Sequence, residues 1–254
     1  MRLRVATFNI HHGVGTDGRL DLGRTADVIA ATGAAVVGLQ EVDRTLSGRS
    51  GWTDQAAWLG DRLGMEVAHG ATIDRGPPPG GPPGAPSRRY GNALLSAHPL
   101  RSWQALRLAG GGRREPRGVV DALVDVEGTP VRCAVTHLQN RSRREREEQA
   151  AHLVTLLAPV RPPAPTGGDP VPTVLVGDMN AAPDSPEMRL LTTAFVDAWA
   201  AVGLGDGSTF DARRPFARID AVLTAGPVRP LTATVVDTRA SDHRPVVVDL
   251  DVEA

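Results

Sequence analysis

Nine short apolar runs, each of strand length, set the pattern of this 254-residue chain. They span Leu3–Ile10, Ala35–Leu39, Ala93–Ser96, Val119–Val126, Val131–Thr136, Val174–Val176, Ile219–Leu223, Thr232–Val236 and Val246–Leu250. Several are continuous and β-branched, as expected of strands covered on both faces. Helical patterns lie between some of them. Leu22, Ala26 and Ile29 share one face over Leu22–Ala31, with Asp21 placed as a cap. Ala56, Leu59 and Leu63 do the same over Gln55–Leu63, capped by Thr53 or Asp54. Arg143–Leu157 is charged in its first half and apolar in its second, and Arg141–Arg146 with Glu145, Glu147 and Glu148 reads as a salt-bridged helix face. The first third alternates strand and helix, whereas Tyr90–Thr136 holds strands in succession. That mixture suits packed sheets with helices outside them, not a purely parallel sheet.

Composition narrows the class. A hydrophobic fraction of 41% with 22% charged residues is that of a globular chain able to bury a sizeable core. The formal charge of −1 argues against a general basic field for gripping nucleic acid. All 28 basic residues are arginine, which codon bias explains more simply than phosphate recognition does. The single cysteine, Cys133, excludes an internal disulfide framework and a cysteine zinc cluster, and its apolar setting marks it as a small buried hydrophobe. No apolar stretch approaches the ~20 residues of a membrane span. The start has neither the apolar core nor the cleavage site of a signal peptide, so a cytoplasmic location and a monomer are the expectations. Trp52, Trp58, Trp103 and Trp199 are isolated and are expected in the core or at its rim. Arg75–Pro86 and Ala158–Pro172, rich in Pro and Gly, read as surface loops within one domain over residues 1–254.

Polar residues recur where the apolar runs end. The runs close in Thr7-Phe8-Asn9-Ile10-His11-His12-Gly13, in Leu39-Gln40-Glu41-Val42-Asp43, in Thr136-His137-Leu138-Gln139-Asn140 and in Gly177-Asp178-Met179-Asn180. Arg218-Ile219-Asp220 and Ser241-Asp242-His243-Arg244-Pro245 flank two more. A strand end is where a rigid sheet hands a side chain to a loop, so functional groups gather there. Oxygen donors without cysteine suit a hard divalent ion such as Mg²⁺ or Mn²⁺. Carboxylate, amide and imidazole groups together can bind such an ion, orient water and neutralise a phosphoryl oxygen. Each motif alone also reads as a turn or a solvated pair; their recurrence at successive strand ends carries the inference.

The ordered set TFNIHHG, LQEVD, YGNALLS, VTHLQN, GDMN, RIDAVL and SDHRPV resembles the endonuclease/exonuclease/phosphatase (DNase I-like) superfamily, from Thr7 to Val246. The resemblance implies an α+β, four-layer α/β/β/α sandwich of two mixed sheets, packed face to face with helices outside and the site at one rim. It implies a Mg²⁺-dependent phosphoester hydrolase, with Mn²⁺ as substitute, that uses in-line attack of water. Glu41 matches the principal metal-binding glutamate, Asn9 the amide supporting it, and Asp242 an aspartate close to the metal. Asp178 and Asn180 match the pair that positions and activates water. His243 matches the imidazole that contacts the phosphate, and Asp220 the carboxylate that orients it. His137 falls where relatives carry His or Tyr beside the phosphate, Asn140 matches an amide that can bind it, and Arg117 an arginine that can contact substrate.

The match thins in places. His11 stands where some relatives have an acid, so one or two metals remain open. No acidic partner for His137 is identifiable. With no basic or aromatic insertion to grip a duplex, a small or lipid-derived phosphoester is favoured over nucleic acid. A nuclease of the same fold is the alternative, and a catalytically inactive binding protein the third reading.

Overall fold

The computed structural model describes residues 1–110, 112, 114–158 and 170–253. Strands and helices appear in the order β1 (Arg2–Asn9), α1 (Leu22–Thr32), β2 (Val36–Arg44), α2 (Gln55–Leu63), β3 (Glu66–Asp74), β4 (Arg89–Ser96), β5 (Leu100–Arg107), β6 (Gly118–Val126) and β7 (Thr129–His137). There follow α3 (Arg143–Leu157), β8 (Thr173–Asp178), α4 (Pro186–Leu191), β9 (Val196–Asp197), α5 (Ala198–Val202), β10 (Asp220–Ala225), β11 (Val228–Val235) and β12 (Val246–Val252). The three expected helices form: Asp21 caps the first by accepting from Arg24 N and Asp54 the second from Ala57 N, as expected, while Ser142, a cap not read from sequence, accepts from Glu145 N at the third. Arg143–Glu147 and Arg144–Glu148 pair along α3 as i,i+4 neighbours.

The strands make two six-stranded mixed sheets, ordered β11-β12-β1-β2-β4-β3 and β5-β6-β7-β8-β10-β9. Each has one parallel pair near its centre, β1 with β2 and β7 with β8, among antiparallel neighbours. Alternation along the strands sorts their side chains into layers. Val5, Val36 and Val248 of one sheet meet Val120, Val135 and Val176 of the other in a shared core. On the far faces, Phe8, Val37 and Leu39 pack on Ile29 and Leu59 of α1 and α2, while Leu175 and Leu223 pack on Leu153, Leu157 and Met188 of α3 and α4. The result is the four-layer α/β/β/α sandwich.

Two features depart from the sequence reading. Trp52, Trp58 and Trp103 are exposed, at 55%, 37% and 47%, and only Trp199 packs against the core between the sheets. Strands β3 and β5 carry no continuous apolar run; β5 is an edge strand whose side chains mostly face solvent. The Pro/Gly stretch over 75–86 is the loop of a hairpin, because β3 and β4 pair directly across it. The second such stretch lies mostly outside the described residues. No helix among the described residues is long and apolar enough to cross a membrane.

Candidate active site

The core face of each central strand turns polar at one rim. Leu3, Val5, Thr7 and Asn9 succeed one another along β1, as do Val131, Cys133, Val135 and His137 along β7. Val174 and Val176 lead to Asp178 on β8, and on antiparallel β10 the same face runs from Asp220 at the rim to Val222 in the core. A strand period of two aims all of these polar groups into the continuation of the gap between the sheets. Register then sets three of them side by side: His137 opposite Asp178, and Asp220 opposite Asp178 on the other flank. Asp178 and Asp220 are almost wholly buried.

Asp178 is the hub. Its Oδ2 accepts from Asn9 Nδ2 at 3.1 Å and lies 3.3 Å from His137 Nε2 and 3.7 Å from His243 Nε2. Its Oδ1 accepts from Asn180 N at 2.8 Å, while Asn180 Nδ2 donates to Leu138 O at 3.0 Å. Asn9 Nδ2 also reaches Glu41 Oε1 at 3.3 Å. Glu41 sits where the β2–β4 register shifts, with φ of 59°, so a local irregularity turns its carboxylate to the rim. Behind His243, Asp220 Oδ2 lies 2.9 Å from Nδ1 and accepts from Thr209 Oγ1 at 2.5 Å. Phe210 lies against the His243 ring, centroid to centroid 4.9 Å.

The segment Ser241–His243 straddles the two sheets. Ser241 Oγ donates to Asn9 O at 2.7 Å and accepts from His243 N at 3.2 Å, which clamps the segment to β1. Asp242 faces His11, Oδ1 to Nδ1 3.7 Å, and His243 turns the other way to Asp220 and Asp178.

Charges divide the imidazoles. Burial opposes a charge on His243, but Asp220 and Asp178 outweigh it and raise its pKa to about 10. Burial lowers the His137 pKa, and the Arg117 and His243 cations lower it further, so His137 is neutral. Burial raises Asp178, with Asp220 adding to the rise and His243 opposing it. Burial likewise raises Glu41, partly offset by His11 and Asn9.

Of the ten residues singled out from sequence, Asn9, Glu41, His137, Asp178, Asn180, Asp220, Asp242 and His243 come together. Arg117 is buried, paired with Glu115 at 2.6 Å, and near enough for its charge to lower the His137 pKa. Asn140 is exposed, and it is its backbone oxygen that Arg146 holds, at 3.2 Å. Thr209 and Phe210 escaped the sequence reading because they lie in an irregular stretch with no strand pattern to flag it.

Two groups offer donors to a metal ion. Asp178, Asp220 and His243 have ligand atoms within 4.8 Å of one another, and so do His11, His12 and Glu41. The first group can hold an ion, although its members already bind each other. Glu41 has Asn9 as its hydrogen-bond donor and no arginine partner among the described residues, so the donor set fits a bound cation.

Two mixed sheets stacked between helices, with an acid- and imidazole-lined cleft at one rim, define the DNase I-like class of folds. The model of the Endonuclease/Exonuclease/phosphatase family matches residues 6–243, and the chain belongs to that family, whose members hydrolyse phosphoester bonds. No curated protein matches it in sequence. An endonuclease/exonuclease/phosphatase from Beutenbergia cavernae is similar in structure, with TM-score 0.78 and 28% identity over 100% of this chain and 72% of that one. A mannosyl-6-phosphatase from Bacteroides thetaiotaomicron shares the fold at TM-score 0.73 and 16% identity, covering 98% of this chain and 99% of that one. So does the human Nocturnin catalytic domain with bound sulfate, at TM-score 0.71 and 17% identity over 99% and 95%.

Proposed function

We propose that this chain is a metal-dependent hydrolase of phosphoester bonds, and that Asp178 is the base that takes a proton from the attacking water. The observation that carries this reading is the environment of one carboxylate. Asp178 is held by Asn9 and Asn180, is flanked by a neutral His137, and faces a charged His243. Burial raises its proton affinity, which is what a base working near neutrality requires.

Glu41, Asn9 and Asp242 would hold the divalent ion, Mg²⁺ or Mn²⁺, which supplies Lewis-acid stabilisation of phosphoryl charge. Asn180, whose backbone N–H donates to Asp178 and whose side-chain amide donates to Leu138 O, helps keep Asp178 in one rotamer. As the water oxygen bonds to phosphorus, its proton passes to Asp178 and the bond to the leaving oxygen breaks. His243, held in orientation by Asp220, donates from Nε2 to a phosphoryl oxygen and neutralises it. His137 would line the opposite side of the phosphate site, with the Arg117 charge near it.

The favoured substrate is a small or lipid-derived phosphoester. The near-zero net charge supports it, as does an apolar ledge: Phe216, 73% exposed, stands edge-on to Phe210 at 5.8 Å beside the His243 ring. The phosphatase and the sulfate-bound domain among the structural neighbours agree with a phosphate-sized occupant. The test is turnover of bis-p-nitrophenyl phosphate and p-nitrophenyl phosphate with Mg²⁺ or Mn²⁺, alongside nicking of plasmid DNA. Turnover that EDTA abolishes and Asp178→Asn lowers at least ~10²-fold supports the reading. Equal turnover in the variant overturns it, and plasmid nicking without ester turnover transfers the site to nucleic acid.

A further inference from the structure

After β1 the chain makes a single 3-10 turn at His11–Gly13, with both histidines at φ of 45°. The turn is fixed from outside. His11 N donates to Asn9 Oδ1 at 3.0 Å, and Gln55 Nε2 to His12 O at 2.7 Å. The two rings stand edge to face, centroids 4.5 Å apart, and a ring nitrogen of each lies within 4.8 Å of a Glu41 carboxylate oxygen.

The nitrogens are unusual in having nothing to bind. Nδ1 of His11 and Nδ1 of His12 are both buried without a hydrogen-bond partner among the described residues. Buried polar atoms are nearly always satisfied, and an orphan pair at one spot needs an explanation. Asp242 Oδ1 lies 3.7 Å from His11 Nδ1, too far for a hydrogen bond and a suitable separation for two donors to one ion. Imidazole nitrogens beside carboxylates prefer borderline first-row ions, whereas Mg²⁺ prefers oxygen.

We propose that His11 and His12 join Glu41 and Asp242 in a mixed nitrogen–oxygen centre that takes a divalent transition ion of the Mn²⁺-to-Zn²⁺ series in preference to Mg²⁺. This deepens the reading of Glu41 and Asp242 as metal ligands and rests on it.

Calorimetric titration of the metal-free, full-length protein with Mg²⁺, Mn²⁺, Co²⁺ and Zn²⁺ tests it without substrate, and Co²⁺ adds a visible absorption band that reports nitrogen ligation. Most sites favour later ions to some degree, so dependence on the two histidines is the discriminating result. His11→Asn suits the left-handed backbone and exchanges imidazole for an amide, and His12→Gln is the second variant. Each is expected to weaken Co²⁺ and Zn²⁺ binding by about tenfold or more, shift the Co²⁺ band, and leave Mg²⁺ binding within about twofold. Glu41→Gln is expected to weaken every ion. Unchanged Co²⁺ affinity and spectrum in both histidine variants overturns the proposal, even where ester turnover persists. Histidine-dependent Co²⁺ binding without turnover of any ester upholds this centre while the hydrolase reading fails.

Discussion

Asp178 and Asp220 are cross-strand partners on β8 and β10, two buried carboxylates set directly opposite each other. Like charges in that relationship destabilise a sheet. His243 resolves the conflict by lying 2.9 Å from one and 3.7 Å from the other as a cation. Three groups thereby act as one unit, and the charge that this buried pair requires is the one the proposed mechanism would use.

Asp220→Asn keeps the shape of that unit and removes the charge behind the imidazole. The expected result is a fall in kcat of at least ~10²-fold with native near-UV circular dichroism. Turnover within twofold of the parent shows that Asp220 does not orient His243.

Thr209 reaches the same carboxylate from the loop before β10. Asp220 Oδ1 is already buried without a partner among the described residues, so losing the hydroxyl leaves the carboxylate held through Oδ2 by the imidazole alone. Thr209→Val is expected to cost about 1–3 kcal/mol in urea denaturation. It should also lower kcat by about tenfold with KM little changed, because Thr209 touches the orienting acid and not the substrate.

Gly38 lies where the two sheets approach closely. A Cβ there would lie 2.3 Å from Val176 Cγ2. Gly38→Ala is expected to destabilise by about 1–3 kcal/mol through overpacking. Combined with Val176→Ala, the loss should be smaller than the sum of the two by at least about 1 kcal/mol. Strict additivity would mean that the contact is relieved elsewhere.

Asp121, on the outer face of β6, is gripped by Arg132 through Nε and Nη2, each at 2.8 Å, and by Gln104 at 3.1 Å. Burial works to raise its pKa, but these partners reverse the effect and leave it below the usual carboxylate range. A depressed folded pKa gives stability that is complete above the unfolded value and is lost as pH falls through the folded one. Asp121→Asn is therefore expected to cost about 1–2 kcal/mol at pH 7, with the gap narrowing below about pH 4. Guanidinium denaturation at several pH values checks this, and a gap that widens in acid contradicts it.

Much of the site was legible because β-strands carry information with a period of two. Valines at alternate positions announced which side chains faced the core, and the polar residues ending those runs followed into the same gap. Strands β3 and β5 were hidden for the opposite reason: β5 is a solvent-facing edge without an apolar run. Thr209 and Phe210 were hidden because irregular backbone leaves no periodic trace. The missing acid behind His137 was a question the sequence could pose but not answer; the carboxylate His137 meets is Asp178, its neighbour across the strand pair, at 3.3 Å. The exposed tryptophans show that ring size alone does not decide burial when the layers are already filled by valine and leucine.

The peptide bond between Asp242 and His243 works as a hyphen. One side chain completes the constellation around His11 on the first sheet, and the other completes the constellation around Asp220 on the second. Neither half-molecule, however well formed its hydrogen-bond ladder, can assemble the cleft alone. Loss of the proposed activity is thus expected to report the two halves coming apart, whether or not the strands and helices have melted. During synthesis, no amino-terminal stretch that stops short of His243 can hold the complete cleft, so a nascent chain stays inert until its halves close.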